Sequence, residues 1–236
     1  MEIIKKTDEK LVFSANVGIE LANAIRRSVS EISTIAIDEL EISKNDSALY
    51  DETIAHRIGL IPLKMDKSYK EGESFNLKLS SNKKGFVYSG DLKGDVEVVF
   101  DKIPITLLEE NQEIKLKCKT KIGTGKEHSK FSPGFISYRE SLELSMDKIF
   151  EEELRRVFPD IEIKKKGEKI LVYDKGERSI VDFCEGISTK NKKEFSAKEN
   201  GEMIFVIESF GQMKAEEIFK KSVEVLEKNL KKIKLK

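Results

Sequence analysis

Apolar side chains recur along this chain with two different periods. Residues 2–15 and most of 73–122 alternate apolar and polar positions, which predicts strands separated by glycine and asparagine turns. Residues 34–42 carry apolar side chains on both faces near their start, which predicts a buried strand. Two further strand patterns lie within 161–174, and another occupies 202–210. The sequence therefore predicts a large content of β-structure.

Between these strands, apolar positions fall at every third or fourth residue, which is the spacing of one helix face. This spacing predicts helices after Gly18, within 49–63, across 143–160 and around 179–188. The apolar face of the first helix comprises Leu21, Ile25, Val29 and Ile32. The apolar face of the last helix comprises Ala215, Ile218, Phe219, Ser222, Val223, Leu226, Leu230 and Ile233. Helices and strands together predict the α+β class.

The last helix carries the longest periodic pattern in the chain. At about 1.5 Å per residue, its roughly twenty residues extend about 30 Å. One ridge of this helix comprises Phe219, Val223, Leu226 and Leu230. Lysine and glutamate cover most of the remaining surface, so the pattern predicts one stripe that is buried against something. The covering surface is either this chain's own sheet or a second chain.

Composition limits the kinds of partner. Among 236 residues, 43 are lysine or arginine and 43 are aspartate or glutamate, so no general preference for polyanions is expected. Cys118 and Cys184 stand far apart, which argues against a disulfide framework and favours the reducing cytoplasm. We see no secretory signal pattern, and no apolar run approaches the ~20 residues that cross a bilayer. A cytoplasmic protein outside the membrane is expected.

The stretch KIGTGKEHSKFSPG (121–134) resembles a phosphate-binding loop at first sight. That loop requires G-x-x-x-x-G-K-[ST], because its backbone amides surround the phosphates and its hydroxyl binds magnesium. Counting back from Gly125, the first glycine is replaced by Thr120, and Glu127 replaces the hydroxyl residue. The spacing favours a tight turn, and a nucleotide-binding enzyme is the alternative from another functional class.

Residues for catalysis or metal binding are scarce. His56 and His128 are the only histidines, and neither has a cysteine or histidine at a metal-ligand spacing. Neither a serine-hydrolase elbow nor a zinc-protease or dinucleotide-binding motif is present. We therefore predict no catalytic residue and no metal site on this chain.

Several separate motifs resemble one known family. LANAIRRSVSEISTIAIDELEI (21–42) and YDETIAHRIGLIPL (50–63) strongly resemble the signature of the D-type subunit of archaeal DNA-directed RNA polymerases. This family is similar to the third-largest eukaryotic subunit and, more distantly, to the amino-terminal domain of the bacterial alpha subunit. GTGKEHSKFSPG (123–134), DKIPI (101–105) and FVIESFGQM (205–213) also match. The resemblance covers nearly the whole chain in the right order.

The resemblance implies a discontinuous fold. Residues 1–42 and 196–236 would form a dimerisation domain, interrupted by an inserted β-rich domain at 43–142. Residues 143–195 would form a degenerate ferredoxin-like domain that lacks cluster ligands.

The resemblance also implies a scaffolding function without catalysis. The chain would pair with a small L-type subunit, and the pair would form the platform for the two large catalytic subunits and other polymerase subunits. DNA and RNA would be contacted only through the complex. The small subunit is expected on the ridge of Phe219, Val223, Leu226 and Leu230. The large subunits are expected at Arg26, Arg27 and Arg57, although any of these could be ordinary surface arginine. A homodimer, as in the bacterial relative, is a third possibility.

Many archaeal relatives hold iron–sulfur clusters in the segment that corresponds to 143–195. If Pro159 ends the first cysteine run, its ligand positions are Lys148, Glu151, Leu154 and Phe158. The positions of the second run are Arg178, Val181, Cys184 and Ser188. One thiolate cannot hold a cluster, so Cys184 is expected to be a small buried residue and the chain to carry no cofactor.

Overall fold

The protein forms two compact units, as described by a computed structural model. The described residues are 1–66, 68–159, 161–174 and 178–233. The first unit comprises Met1–Ala24 and Ile136–Ile207, and the second comprises Ile25–Phe135 and Glu208–Lys236. Helices occur with several sheets, so the α+β class is confirmed. The predicted division into a dimerisation domain, an insert and a ferredoxin-like domain stays a prediction.

The elements are as follows. The strands are Glu2–Lys6 (β1), Lys10–Ala15 (β2), Ser33–Asn45 (β3), Asn76–Ser81 (β4), Gly85–Tyr88 (β5), Lys93–Gly94 (β6), Pro104–Leu108 (β7), Ile114–Thr124 (β8), Gly134–Asp147 (β9), Ile163–Lys166 (β10), Lys169–Tyr173 (β11) and Phe195–Ser209 (β12). The α-helices are Ile19–Ser28 (α1), Asp51–Gly59 (α2), Glu151–Val157 (α3), Arg178–Lys190 (α4) and Ala215–Lys231 (α5). Short 3₁₀ helices occur at Val29–Glu31, Ser89–Asp91, Ser129–Phe131 and Lys148–Phe150.

The first unit is built on a six-stranded sheet with the order β1-β2-β12-β9-β11-β10. Phe13 of β2 stacks on Phe205 of β12, with the ring centroids 5.0 Å apart. Helices α3 and α4 contribute to a separate apolar cluster with β9 and β11. The buried members of this cluster are Leu144, Met146, Phe150, Leu154, Ile170, Val172, Ile180 and Cys184.

The second unit contains a four-stranded sheet with the order β3-β8-β4-β6 and a two-stranded sheet, β5-β7. Strand β8 alternates buried and exposed positions, because one face packs on the core and its lysines face solvent. Ile54 and Ile58 of α2 are fully buried in the same core as Ile35 and Ile37 of β3. The predicted helix within 49–63 and the predicted strand at 34–42 are confirmed.

Two sequence predictions are wrong in detail. The spacing predicts a helix over residues 143–147, but they complete β9, and α3 begins only at Glu151. Leu144 and Met146 are buried and their neighbours are less so, which is the alternation of a strand. The chain turns at Asp147, whose carboxylate accepts a hydrogen bond from the Ile149 amide at 3.1 Å.

The second correction concerns Leu21, which is 48% exposed although the spacing places it on the apolar face of the first helix. Ala22 is fully buried in its place.

Candidate partner-binding surfaces

Helix α5 has two apolar sides, and only one of them packs fully against the second unit. The buried side comprises Ala215, Ile218 and Ser222. The other side, which we call the outer stripe, comprises Phe219, Val223, Leu226 and Leu230. Leu230 is 56% exposed and Val223 is 36% exposed, whereas Phe219 and Leu226 are half-buried. The predicted ridge is therefore left partly open in the lone chain.

The buried side of α5 is fixed near both ends of the helix. A Cβ atom at Gly134 would lie 2.9 Å from Ile218 Cδ1 and 2.2 Å from the Glu208 carbonyl oxygen, so glycine permits this close packing. Near the other end, the Asn229 side-chain amide donates to Glu31 Oε2 at 2.8 Å. The outer stripe thus lies on a helix whose rotation is set by contacts within the unit.

The charged positions of α5 are largely paired along the helix. The three pairs at i,i+4 spacing are Lys220–Glu216 (2.9 Å), Lys221–Glu217 (3.6 Å) and Lys231–Glu227 (3.7 Å). Exposed pairs of this kind contribute little to stability. Because they balance one another, the stripe is apolar with nearly neutral flanks, and its recognition would depend on shape and apolar contact.

The three predicted interface arginines are all exposed and lie in the second unit. Arg26 and Arg27 occupy the last turn of α1, where cations complement the helix dipole. Arg57 lies in α2, and its Nη2 atom donates a hydrogen bond to the carbonyl oxygen of Pro104 in β7. Within the described part of the chain, no carboxylate pairs with Arg27 or Arg57. These two charges therefore remain open to a partner.

The loop that resembles a phosphate-binding loop uses its charged groups within the chain. The backbone amide of Lys126 donates a hydrogen bond to the Ser30 carbonyl at 3.0 Å. The side-chain Nζ atom of Lys126 lies 2.7 Å from Glu31 Oε1. The side-chain hydrogen bond from Lys126, together with that from Asn229, holds the pKa of Glu31 below its usual value. Glu127 accepts from the Thr124 amide at 3.1 Å. The loop therefore joins β8 to the 3₁₀ helix Val29–Glu31 that follows α1.

The second half of this loop is fastened to β3. Lys130 Nζ donates to Asp38 Oδ1 at 2.6 Å, and this bond holds the pKa of Asp38 below its usual value. Thr34 Oγ1 donates to the Phe131 carbonyl. The Phe131 ring is 2% exposed and lies against Gly123 in β8. The glycine–lysine loop is thus a structural clasp between two strands of the four-stranded sheet.

Four of the eight positions that correspond to cluster ligands in some relatives lie in an apolar environment, whereas Lys148 is exposed and Glu151 pairs with Lys165 at 2.9 Å. Leu154 and Cys184 are fully buried in the α3–α4 cluster, and Phe158 and Val181 pack against it. Burial raises the pKa of the Cys184 thiol to about 12, so the sulfur is protonated at neutral pH. Ser188 is buried, and the side chain of Arg178 lies outside the described residues. Leu154, Phe158, Val181 and Cys184 thus belong to a hydrophobic core.

The described residues offer neither a metal site nor a membrane-spanning helix. No group of three histidine, cysteine, aspartate or glutamate side chains in them could hold a metal ion. None of the described helices combines the length and the apolar composition that a membrane crossing requires.

One exposed apolar surface does not follow from the sequence predictions. The outward face of the β5-β7 sheet, which we call the ribbon face, comprises Phe86, Tyr88, Pro104 and Leu107. Phe86 is 59% exposed and Leu107 is 45% exposed. The signal for it is the run GFVY (85–88), which has apolar side chains on both faces of one strand.

Comparisons with known proteins identify the family of this chain. Residues 35–138 match the family model described as the RNA polymerase Rpb3/RpoA insert domain. DNA-directed RNA polymerase subunit Rpo3 of Pyrococcus horikoshii is 34% identical over 96% of this chain and 93% of its own length. The Rpo3 subunit of Thermococcus kodakarensis is 32% identical over 95% of this chain and 92% of its own length. The Rpo3 subunit of Methanocaldococcus jannaschii is 40% identical over 56% of this chain and 70% of its own length. The chain therefore belongs to the family of DNA-directed RNA polymerase subunit Rpo3, the archaeal D-type subunit, and is a subunit of a DNA-directed RNA polymerase.

Proposed function

We propose that this chain is a non-catalytic assembly subunit that pairs with a small L-type subunit through the outer stripe of α5. The pair would form the platform on which the large catalytic subunits assemble for DNA-templated transcription. Nucleotidyl transfer would take place on those large subunits. The observation that carries the proposal is the outer stripe itself, because a row of apolar side chains is left partly open on a helix that is otherwise packed.

The chemistry of the outer stripe fits a permanent protein partner. Interfaces of obligate complexes bury about 2,000 Å² or more and are most apolar at their centre. Leu226 is half-buried and Leu230 is exposed, and a second helix could cover both. The neighbouring lysine and glutamate residues pair with each other, so the partner need not supply compensating charge.

We further propose that Arg26, Arg27 and Arg57 contact the large subunits. Arginine suits such contacts because its planar guanidinium can pair with a carboxylate through two hydrogen bonds. Exposure of all three supports the proposal, as does the open charge on Arg27 and Arg57. We also propose that the chain carries no iron–sulfur cluster, which the protonated, buried Cys184 thiol supports.

Glutamate substitutions in the outer stripe test the pairing. Leu226→Glu and Leu230→Glu are each expected to abolish co-purification with the small subunit, because the new charge would be buried without a partner. Leu230 gives the cleaner test, since glutamate at an exposed position leaves the lone chain folded. Loss of a central interface residue commonly weakens binding by about 30-fold or more.

The matched control is Lys228→Gln, an exposed neighbour that changes the net charge by the same amount. We expect this variant to bind like the wild type. If Leu230→Glu also binds normally, the outer stripe is not the interface. If Leu226→Glu binds normally but melts at a lower temperature, the stripe packs within the chain.

A further inference from the structure

The two-stranded β5-β7 sheet has an apolar side chain at every outward position of its register. Phe86 pairs with Leu107, and Tyr88 pairs with Pro104. The ring centroids of Phe86 and Tyr88 are 6.0 Å apart and the rings are tilted, so the two side chains form one continuous patch. Between them, Val87 is 1% exposed and points into the core. The ribbon therefore has apolar side chains on both of its faces.

The neighbouring four-stranded sheet shows what a solvated face looks like in the same unit. Its inner strand β8 places four lysines on the outward side: Lys115, Lys117, Lys119 and Lys121. A sheet with one face in water normally alternates in this way, with polar residues outside. The ribbon face departs from this pattern, and contiguous exposed apolar surface is typical of a binding site.

An open positive charge adjoins the ribbon face. Arg57 donates to the carbonyl of Pro104, which itself belongs to the face. Within the described part of the chain, Arg57 has no carboxylate partner. At the other end of the ribbon, Glu109 and Glu110 follow β7, and each pairs with Lys84 at 3.3 Å. A partner would therefore need both apolar side chains and a carboxylate.

We infer that the ribbon face binds an apolar segment of a large catalytic subunit of the same polymerase, and that a carboxylate of this segment pairs with Arg57. The inference rests on the proposed function and extends the large-subunit contact at Arg57. A second copy of this chain fits less well, because it would bring a second open cation and no unpaired carboxylate on the ribbon. Nucleic acid fits less well, because bases could stack on Phe86 and Tyr88 but Arg57 alone would supply few phosphate contacts.

The ribbon face is one part of a larger contact. A stable interface covers about 800 Å² on each partner, which four side chains do not provide. Aromatic and arginine residues contribute most of the binding energy in such contacts. Phe86, Tyr88 and Arg57 are residues of these kinds, and they lie together.

Photo-crosslinking within the assembled polymerase tests the inference. The chain carries p-benzoyl-phenylalanine at position 86 or, in a second variant, at position 88, and the polymerase is purified through a tag on its largest subunit. We first measure whether the variant chain co-purifies with the tagged subunit, because a chain that never enters the polymerase would refute the proposed function. After irradiation, an adduct with a large catalytic subunit is expected. An adduct only with the small L-type subunit, only with a second copy of the chain, only with nucleic acid, or with nothing would overturn the inference.

Affinity measurements on the subunit found in the adduct complete the test. The Phe86→Ser/Leu107→Ser double variant and Arg57→Glu are each expected to weaken its binding by about tenfold or more. Ile149→Ser, which changes an exposed apolar residue of the first unit, is the matched control and should bind normally. Pairing with the small L-type subunit should be unchanged in all three. Unchanged binding by both ribbon variants would overturn the inference.

Discussion

Replacing Gly123 by alanine tests whether the glycine–lysine loop is a structural clasp. The new Cβ atom would lie 2.9 Å from Phe131 Cε2 and 3.0 Å from two further ring atoms. The ring cannot move away easily, since Phe131 is 2% exposed and its carbonyl accepts the hydrogen bond from Thr34. Overpacking of this kind costs about 1–3 kcal/mol, so the second unit should lose stability by that amount.

The same substitution at Gly186 should change the free energy of unfolding in the opposite direction. Gly186 is exposed within α4, and an added Cβ would meet nothing within 4 Å. Alanine favours the helix over glycine by up to ~1 kcal/mol, so Gly186→Ala should stabilise the first unit by about 0.5–1 kcal/mol. Urea denaturation followed by circular dichroism gives the free energy of unfolding of each variant. Amide hydrogen exchange on peptides then identifies the unit that changed.

A double-mutant cycle identifies the cause of the loss. Phe131→Leu removes the ring that opposes the new methyl group, so Gly123→Ala should cost less in that background than in the wild type. A Gly123→Ala variant as stable as the wild type would refute the reasoning. So would an equal cost in both backgrounds, because the ring would then not be the obstacle.

Further predictions concern the loop, the arginines, the first unit and pH. Titration with ATP or GTP should give no sub-millimolar binding; such an affinity, lost in Lys126→Ala, would support the nucleotide-binding alternative. Arg26→Ala/Arg27→Ala should leave pairing with the small subunit intact but weaken capture of the large subunits by about tenfold, and unchanged capture would refute the assignment. Anaerobically purified protein should show neither visible absorption nor stoichiometric iron, because Cys184 is a lone buried thiol; the presence of both would contradict this. The pKa of Glu31 is lowered from 4.5 by folding, so its stabilisation is present above that pH and is lost as pH falls towards the folded value. Glu31→Gln should therefore show less loss of stability between pH 6 and pH 3 than the wild type, and equal loss would refute the role of Glu31.

Local patterns in the sequence are sufficient for most helices and strands. The helix at Asp51–Gly59 follows from its spacing because it packs one face on the core, and the buried start of β3 follows from apolar residues on both of its faces. The helical prediction for 143–147 fails because the apolar positions of the end of β9 and of α3 run on without a break. Periodicity alone does not mark the change from strand to helix.

Contacts between distant residues account for what the sequence does not reveal. Which side of α5 is buried depends on Gly134 and Glu31, far away in the chain. The ribbon face arises because Phe86 and Leu107 come into register, which neither strand pattern predicts. The clasp depends on Lys130 reaching Asp38 and on Thr34 reaching Phe131, and no local motif encodes these pairings.

The central claim is that this chain is built to pair with a different, smaller subunit. Native mass spectrometry of the chain alone and mixed with the small L-type subunit measures this directly. We predict that the mixture gives a complex with one copy of each chain, and that the Leu230→Glu variant does not form it. A homodimer that persists in the presence of the small subunit, or a wild-type chain that stays unbound, would contradict the account.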